Sequence, residues 1–582
     1  MHLCTYYSII IVTKEGISVK KNRIILLNDI FDNDISGETQ QTLADLDDEA
    51  FNKQHLEHVE KMNEKYEVKT IASNNKYTFW SRYMGPYAVA SSVHENCPDW
   101  EVIVIDWFTK IDNFHEYISK FIDEDTIYIG LSTTFLVNTM NPRVQDFNLW
   151  FTRHRELLEW FDGIKKINPD IEFILGGAIT DLFYKIHFIT RPEAKMPIAF
   201  EKHINYVFNG YAEDTFIEFL NGELDPKKVK EKNGIFFINE TKMASTGAKL
   251  LKGNYQHNMA IKAGEWVPLE ISKGCRFGCK FCFYDTRGTQ IKGADCLREE
   301  LMYNYENFGV TGYMLTDDTV NDSTEKIDMM HSVIKSLPFK MEWISYCRPD
   351  MFHKFPEMWP KMIDMGCRGV FLGVETLDHT AGKLAGKGLD PEKIKGIINW
   401  MREEAQDEVF ILASMIIGLP GETMESLRLT AKWFQEQEAL DKIQYELFFV
   451  SDGNDSKSPA FTGKPNNPYG IHLEYYPNYY WKHNTMDLRD AQAMAIEWEG
   501  MLVDHHKTAF ERHFSYNTNF WAYPRLRSLG YDHKECVKIL TAKVVQQDVY
   551  DRNRKWIEHY HTELKMINMV NSHTTVKELE LL

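Results

Sequence analysis

The strongest constraint on the fold of this chain is an alternation between residues 264 and 450. Six short apolar runs, Val267–Ser272, Gly312–Thr316, Met341–Tyr346, Gly369–Glu375, Phe410–Ile417 and Ile443–Phe449, are predicted as strands. Five helical stretches separate them: Asp295–Asn307, Thr324–Ser336, Phe355–Met365, Pro391–Glu404 and Glu422–Gln437. Strands that regularly alternate with helices must lie parallel, because each helix carries the chain back to the starting edge of the sheet. Six such units give a barrel or a partial barrel, with reactive groups expected at the carboxyl ends of the strands.

A second alternation precedes it. Arg23–Asn28, Glu101–Asp106, Thr126–Ser132, Glu172–Gly176 and Asn205–Phe208 read as strands, and Tyr83–His94, Phe114–Ile122, Asn148–Lys166 and Thr215–Leu220 as helices. This pattern predicts an α/β, doubly wound parallel sheet. The polar segment at about 32–75 reads as an insertion. Beyond residue 450 the character changes. Ser451–Tyr469 reads as a loop, helical patterns follow from Met486, and aromatics crowd around Tyr475–Trp481 and Phe514–Tyr523. This tail could be a lid or substrate wall over the barrel, or an ordinary helical cap on its core. The expected division is 1–235, 260–450 and 451–582.

Composition excludes some classes. The net charge is -19, without the basic stripe that duplex nucleic acid requires. The apolar run Tyr6–Val12 is too short to span a membrane and lacks a basic flank, so a cytoplasmic protein is expected. Nine cysteines are too few for a disulfide scaffold in 582 residues.

Three of those cysteines form Cys275-Arg-Phe-Gly-Cys279-Lys-Phe-Cys282, directly after a predicted strand. Thiolates are natural ligands for iron–sulfur clusters, and three of them leave one iron of a cubane open for chemistry. The competing reading is a closed zinc site with Cys296 as fourth ligand.

The C-x3-C-x2-C spacing with Phe281 before the last cysteine resembles the signature of the radical S-adenosylmethionine (SAM) superfamily. Four further stretches match in order: Thr316-Asp317-Asp318-Thr319, Tyr346-Cys347-Arg348-Pro349-Asp350, Gly366–Thr376 and Ile416–Thr423. The resemblance implies that Cys275, Cys279 and Cys282 hold a [4Fe–4S] cluster whose fourth iron chelates SAM. It implies that Phe281 borders the adenine, that Ile417 and Gly418 lie along it, and that Glu375 and Arg348 make polar contacts to SAM. Asp317 is expected to project towards the same centre. For Arg348 and Asp350 the plainer alternative is a surface ion pair. The implied reaction is reductive cleavage of SAM to a 5′-deoxyadenosyl radical, with a flavodoxin- or ferredoxin-like protein as reductant.

Residues 20–225 resemble the cobalamin-binding domain that precedes many such barrels, through Arg82–Tyr87, Ile129–Ser132, Leu175-Gly176-Gly177-Ala178 and Asn209–Asp214. Gly176 and Gly177 would let a ligand approach the strand ends. The whole then implies a Rossmann-like (flavodoxin-like) domain, a partial (β/α)6 radical SAM barrel and a mainly helical C-terminal region. The histidine-ligating D-x-H-x-x-G pattern is missing, and His115 stands in the wrong place to replace it. Either cobalamin binds without a protein histidine, or the domain is a scaffold. With cobalamin, methylation of an unactivated carbon is the natural reaction; without it, hydrogen abstraction followed by rearrangement or oxidation. A methylthiotransferase is disfavoured, since only Cys4 and Cys97 lie in the N-terminal region. His505, His506 and His513 lack metal-site spacing.

Overall fold

The computed structural model describes residues 22–28, 84–106, 108, 114–132, 158–177, 202–210, 212–232, 234–239, 264–282, 289–450, 461–463, 466–474, 480–502, 508–510, 522–528 and 530–540. The insertion at 32–75, the histidines at 505, 506 and 513, and most of the aromatic residues between 475 and 521 lie outside these.

The first sheet contains β1 (Asn22–Asn28), β2 (Trp100–Asp106), β3 (Thr126–Ser132), β4 (Glu172–Gly176), β5 (Ile204–Asn209), β6 (Val229–Lys232) and β7 (Ile235–Asn239). Its order is β2-β1-β3-β4-β5-β7-β6. All pairs are parallel except the β6–β7 edge hairpin. The order 2-1-3-4-5 is that of a flavodoxin-like doubly wound sheet. Both faces of the central strands are covered, so β1 runs apolar from Ile24 to Leu27 rather than alternating. Ile24, Leu26, Val102 and Val104 pack with Tyr87, Ala90 and Val93 of helix α1 (Gly85–Asn96). Ile25, Leu27 and Ile105 pack on the other face with Phe114 and Ile118 of α2 (Phe114–Ile118) and with Phe161 and Ile164.

The second sheet is wholly parallel. It comprises β8 (Trp266–Leu269), β11 (Gly312–Leu315), β12 (Glu342–Cys347), β13 (Cys367–Glu375), β14 (Phe410–Ile417), β15 (Lys442–Leu447) and β18 (Thr508–Phe510), in the order β18-β15-β14-β13-β12-β11-β8. The first six are the predicted barrel strands, and β18 adds a seventh. Two-residue strands β9 (Ser272–Lys273) and β10 (Gln290–Ile291) form a ribbon at the end of β8. A hairpin of β16 (His472–Glu474) and β17 (Tyr480–Lys482) stands beyond β15.

Side chains alternate across this sheet. Val267, Tyr313, Trp343, Leu372, Ala413 and Tyr445 face the helical layer. Trp266, Met314, Ile344, Phe371, Phe410 and Leu412 face inward and meet Tyr523, Tyr531, Cys536 and Leu540. Trp266 and Phe410 open their strands, so this end of the tail fills the barrel at its amino-terminal mouth, opposite the expected site. For Tyr523 the helical-cap alternative is therefore the observed one, and the lid role does not apply.

Candidate functional site

The ribbon β9–β10 launches the cysteine loop from the carboxyl end of β8. Three sets of contacts fix it. Below, the buried Asp317 carboxylate accepts from the Ile271 amide at 2.9 Å and from the Ser272 hydroxyl, and the buried Lys326 ammonium donates to Ser272 Oγ and the Thr319 carbonyl at 2.8 Å each. On one side, the Lys280 amide donates to the Ala385 carbonyl at 3.0 Å. From the C-terminal region, the Phe461 amide donates to the Lys280 carbonyl at 3.1 Å, and Lys280 Nζ donates to Tyr469 Oη at 2.7 Å. Asp317 thus reaches the centre only through the strand it anchors. Its expected direct role becomes a positioning one, because its oxygens are engaged beneath the loop.

Arg348 ends β12. Its Nη1 donates to Cys279 Sγ at 3.0 Å, while Nε and Nη2 grip both oxygens of Asp350 at 2.9 Å. Its guanidinium carbon lies 3.9 Å from the centre of the Phe277 ring. The Arg348 side chain is 6% exposed and that of Asp350 26%, so the surface ion pair considered above is not what forms. The carboxylate aims the guanidinium at the Cys279 sulfur. Cys275 Sγ stands 3.9 Å from Thr319 Oγ1. Burial pushes the Cys275 thiol above its ordinary value; metal binding would remove that proton.

Glu375 ends β13 with φ +68, in the left-handed region, where β13 and β14 slip register. Lys387 Nζ donates to the Gly373 carbonyl at 2.8 Å, stands 3.3 Å from Glu375 Oε1, and lies 5.8 Å from the centre of the Phe281 ring. Burial raises the Glu375 carboxyl above its ordinary value, with Lys387 opposing. The corner formed by Phe281, Glu375 and Lys387 presents an aromatic face, an anion and a cation together. Lys387 was not legible as a site residue; its Gly386-Lys387-Gly388 context between two helices was the available signal.

At the end of β14, Gly418 has φ +102, and a methyl group there would come within 2.7 Å of the Trp481 ring. The Gly418 and Leu419 amides donate to Glu422 Oε2 at 2.8 and 3.0 Å, and Thr376 Oγ1 donates to Glu422 Oε1 at 2.6 Å. His483 Nδ1 lies 3.3 Å from the Thr485 amide, which leaves Nε2–H to donate to the Gly418 carbonyl at 2.9 Å. The Ile417 side chain is wholly buried in the helical layer. Only backbone at 417–418 is therefore offered to a ligand inside the barrel.

Gly176 and Gly177 stand apart from the cysteine loop, at the carboxyl end of β4. Gly177 (φ +131) pairs with Gly210 (φ +87) across the ends of β4 and β5. Among the described residues, a methyl group on Gly176 would meet only Phe208 Cβ, at 3.9 Å, which leaves room there for a closely approaching ligand. Three residues beyond Gly210, Glu213 Oε1 accepts from Lys273 Nζ at 2.6 Å. The carboxyl ends of the two sheets are joined there, two residues before Cys275. His115 packs instead against Gly163, with Nε2 3.3 Å from the Trp160 carbonyl. Cys296 lies on the helix Ala294–Phe308. Among the described residues, no three His, Cys, Asp or Glu side chains converge on a single ion.

Residues 269–434 match the family model of the Radical SAM superfamily. The match falls on the parallel barrel and its cysteine loop, so this part of the chain is a radical SAM domain and the chain is an enzyme. Its architecture is shared with structures of two cobalamin-dependent members. TsrM from Kitasatospora setae, a radical SAM methyltransferase solved with a tryptophan substrate and a SAM analogue, superposes with a TM-score of 0.54 at 15% identity, covering 81% of this chain and 97% of that one. OxsB, a cobalamin-dependent SAM radical enzyme solved with aqua-cobalamin, superposes at 0.52 and 13% identity, covering 97% and 81%. An uncharacterized methyltransferase of Pyrococcus horikoshii is 23% identical over 299 residues, 49% of this chain and 61% of that protein. This chain thus spans about three fifths of the curated relative it matches. No described helix is long and apolar enough to cross a membrane.

Proposed function

We propose that this chain is a cobalamin-dependent radical SAM methyltransferase acting on a small molecule. One observation carries the reading: Lys273 and Glu213 tie the carboxyl end of the flavodoxin-like sheet to the barrel, immediately before the cysteine loop. A ligand on the Gly176–Gly177–Gly210 crest would then face one on the cysteine loop. The donors present suit the groups concerned. Cys275, Cys279 and Cys282 are soft thiolate ligands appropriate to a [4Fe–4S] cluster. Glu375 and Lys387 complement the amino and carboxylate groups of SAM, and Phe281 offers a face to its adenine. The glycine crest suits a broad planar ligand such as cobalamin, whose cobalt would take no histidine from β1 or from His115.

When bound, the reduced cluster and SAM supply one-electron cleavage of a carbon–sulfur bond, and cobalamin supplies methyl transfer. The residues of the chain do the rest. Arg348 holds positive charge against Cys279, Glu375 and Lys387 orient the sulfonium amino acid, and the apolar barrel wall keeps water from the reacting carbon. A flavodoxin- or ferredoxin-like reductant, the division at about 235–260 and 450, and a cytoplasmic setting belong to the same reading.

The test is anaerobic reconstitution with iron and sulfide, with and without hydroxocobalamin, followed by reduction and addition of SAM. About four irons per chain, a co-eluting corrinoid, and 5′-deoxyadenosine or S-adenosylhomocysteine are expected, and Cys279→Ala should abolish turnover. Zinc in place of iron, or product that survives Cys279→Ala, would falsify the enzyme reading. Loss of corrinoid alone, with 5′-deoxyadenosine retained, would move the reaction to hydrogen abstraction without methyl transfer.

A further inference from the structure

Strand β15 alternates as a barrel strand should. Ile443, Tyr445 and Leu447 join the helical layer, and the Tyr445 hydroxyl donates to the Ala495 carbonyl at 3.0 Å. Lys442, Gln444 and Glu446 therefore face the barrel interior. Gln444 is 1% exposed, and among the described residues neither its amide oxygen nor its amide nitrogen has a hydrogen-bond partner. Such a group is rare in a native protein, because burying an amide without partners costs the full loss of its hydration. A buried side chain that carries both an unmet donor and an unmet acceptor is a place held for something that supplies both.

The neighbours of Gln444 indicate what that is. In register beside it stands Ser414, 9% exposed, and beside Ser414 stands Gly373. Ser414 is inward-facing too, since Ala413 and Met415 belong to the helical layer. Ile416 and Glu446, one step nearer the carboxyl end, are only partly buried, so the interior is open above Gln444. The Gly373 carbonyl holds Lys387, and Lys387 meets Glu375. Two strand spacings, about 10 Å, thus separate the Glu375–Lys387 corner from the Gln444 amide. Glu446 stands near enough to Glu375 to act on it electrostatically.

We propose that Gln444, with Ser414 beside it, is the substrate-recognition group of this enzyme, and that it reads the planar N–H/C=O edge of an uncharged amide or lactam by a paired hydrogen bond. A glutamine amide is the side chain suited to such an edge, since it supplies one donor and one acceptor in one plane. A carboxylate ligand would leave the amide oxygen unmet, and an ester would do the same. The proposal rests on the enzyme reading above for its placement of SAM at Glu375 and Lys387, and it adds the chemical class of the substrate.

The test uses ligand-observed NMR on the full-length, anaerobically reconstituted chain. The probes are nicotinamide and 2-piperidone, with methyl nicotinate and nicotinate as matched compounds lacking the neutral N–H/C=O edge. Saturation transfer to the two amides, and not to the ester or the anion, is expected for the wild type. Gln444→Met keeps the length and removes both polar atoms. It should lose amide binding at least tenfold while melting about 2–4 °C higher, because an unmet polar group has been removed. Gln444→Asn keeps the amide one methylene short and should bind the amides weakly. Binding of ester and amide alike, no amide binding by the wild type, or amide binding unchanged in Gln444→Met each overturns the proposal. The last outcome, with the raised melting point, would assign the space to solvent. Iron content and SAM cleavage by the wild type are measured alongside, so failure of the enzyme reading appears there and failure of this proposal in the amide panel.

Discussion

Glu375 is one of only three non-glycine residues with positive φ among those described. Holding an L-residue there costs about 1–2 kcal/mol, and such strain persists where the surroundings require that side chain in that place. Here the bend turns the carboxylate onto Lys387. Glu375→Gly should therefore melt about 2–4 °C higher than the wild type, by relief of roughly 1 kcal/mol of strain, while affinity for SAM falls at least tenfold. Thermal unfolding and equilibrium dialysis of SAM check the two halves, and a variant that melts lower would show that the left-handed backbone carries no strain. At this scale the sequence was informative where chemistry is local. Three thiols within eight residues announce themselves, and a glutamate closing a strand can be placed at its end. Lys387 went unread, and Asp317 was expected at the centre rather than beneath it, for one reason. Their roles depend on what lies across the barrel, a carbonyl of β13 for one and the Ile271 amide for the other, and neither neighbour is near in sequence.

Among the elements, the turn from β14 into the helix Met424–Glu436 places the least favourable charge. Glu422 is 1% exposed, takes three hydrogen bonds, and has no cation against it among the described residues. Burial pushes its carboxyl up to about 8. The folded state therefore holds this proton where the unfolded chain, near 4.5, has released it. The contribution of Glu422 is fully present below about pH 4.5 and is lost as pH rises towards 8. Glu422→Gln should remove that slope and be the more stable form at pH 8, on the order of 1–3 kcal/mol. Urea unfolding of both proteins at pH 5, 6.5 and 8 checks it, and parallel stability curves would sink the idea. The strands of both sheets were legible because runs such as Ile24–Leu27 and Phe410–Ala413 are continuously apolar, as doubly covered strands must be. The hairpin β6–β7 was missed because Val229–Lys232 is an exposed, charged edge strand, and charge on an edge conceals its period. The predicted helix Phe355–Met365 is found as Met358–Asp364, and a further short helix, Pro349–Lys354, precedes it. Pro349 starts the first, and Pro356 falls in the break between them, where its ring and missing amide suit it.

For the molecule as a whole, the question is what makes two sheets act as one site. A single hydrophobic cluster runs from Ile24 and Phe216 in the first to Leu269 and Tyr313 in the second, so the domains share apolar packing as well as a linker. Packing alone is tolerant of sliding; a buried charge pair is not. The Lys273 side chain is 3% exposed and that of Glu213 13%. Burial pulls the Lys273 ammonium down, but Glu213 and Glu270 beside it more than reverse this, so it remains charged. Glu270 on the same patch is pushed up to about 8 by burial, so Glu213 is the anion that matters near neutral pH. Removing one member of a buried pair strands the other, at a cost of about 3–5 kcal/mol. Lys273→Met should therefore destabilise the chain by that amount, and Glu213→Gln by somewhat less, because its amide can still accept from the ammonium. Lys273→Met with Glu213→Gln should recover most of the loss, since no uncompensated charge remains, giving a coupling above about 1 kcal/mol in the double-mutant cycle. If the pair also sets the angle between the sheets, the double variant will regain stability without regaining corrinoid retention, as neutral side chains restore the burial balance but not the fixed geometry. Additive single-variant losses, or full recovery of both properties, would show instead that the shared apolar cluster alone fixes the two sheets relative to each other.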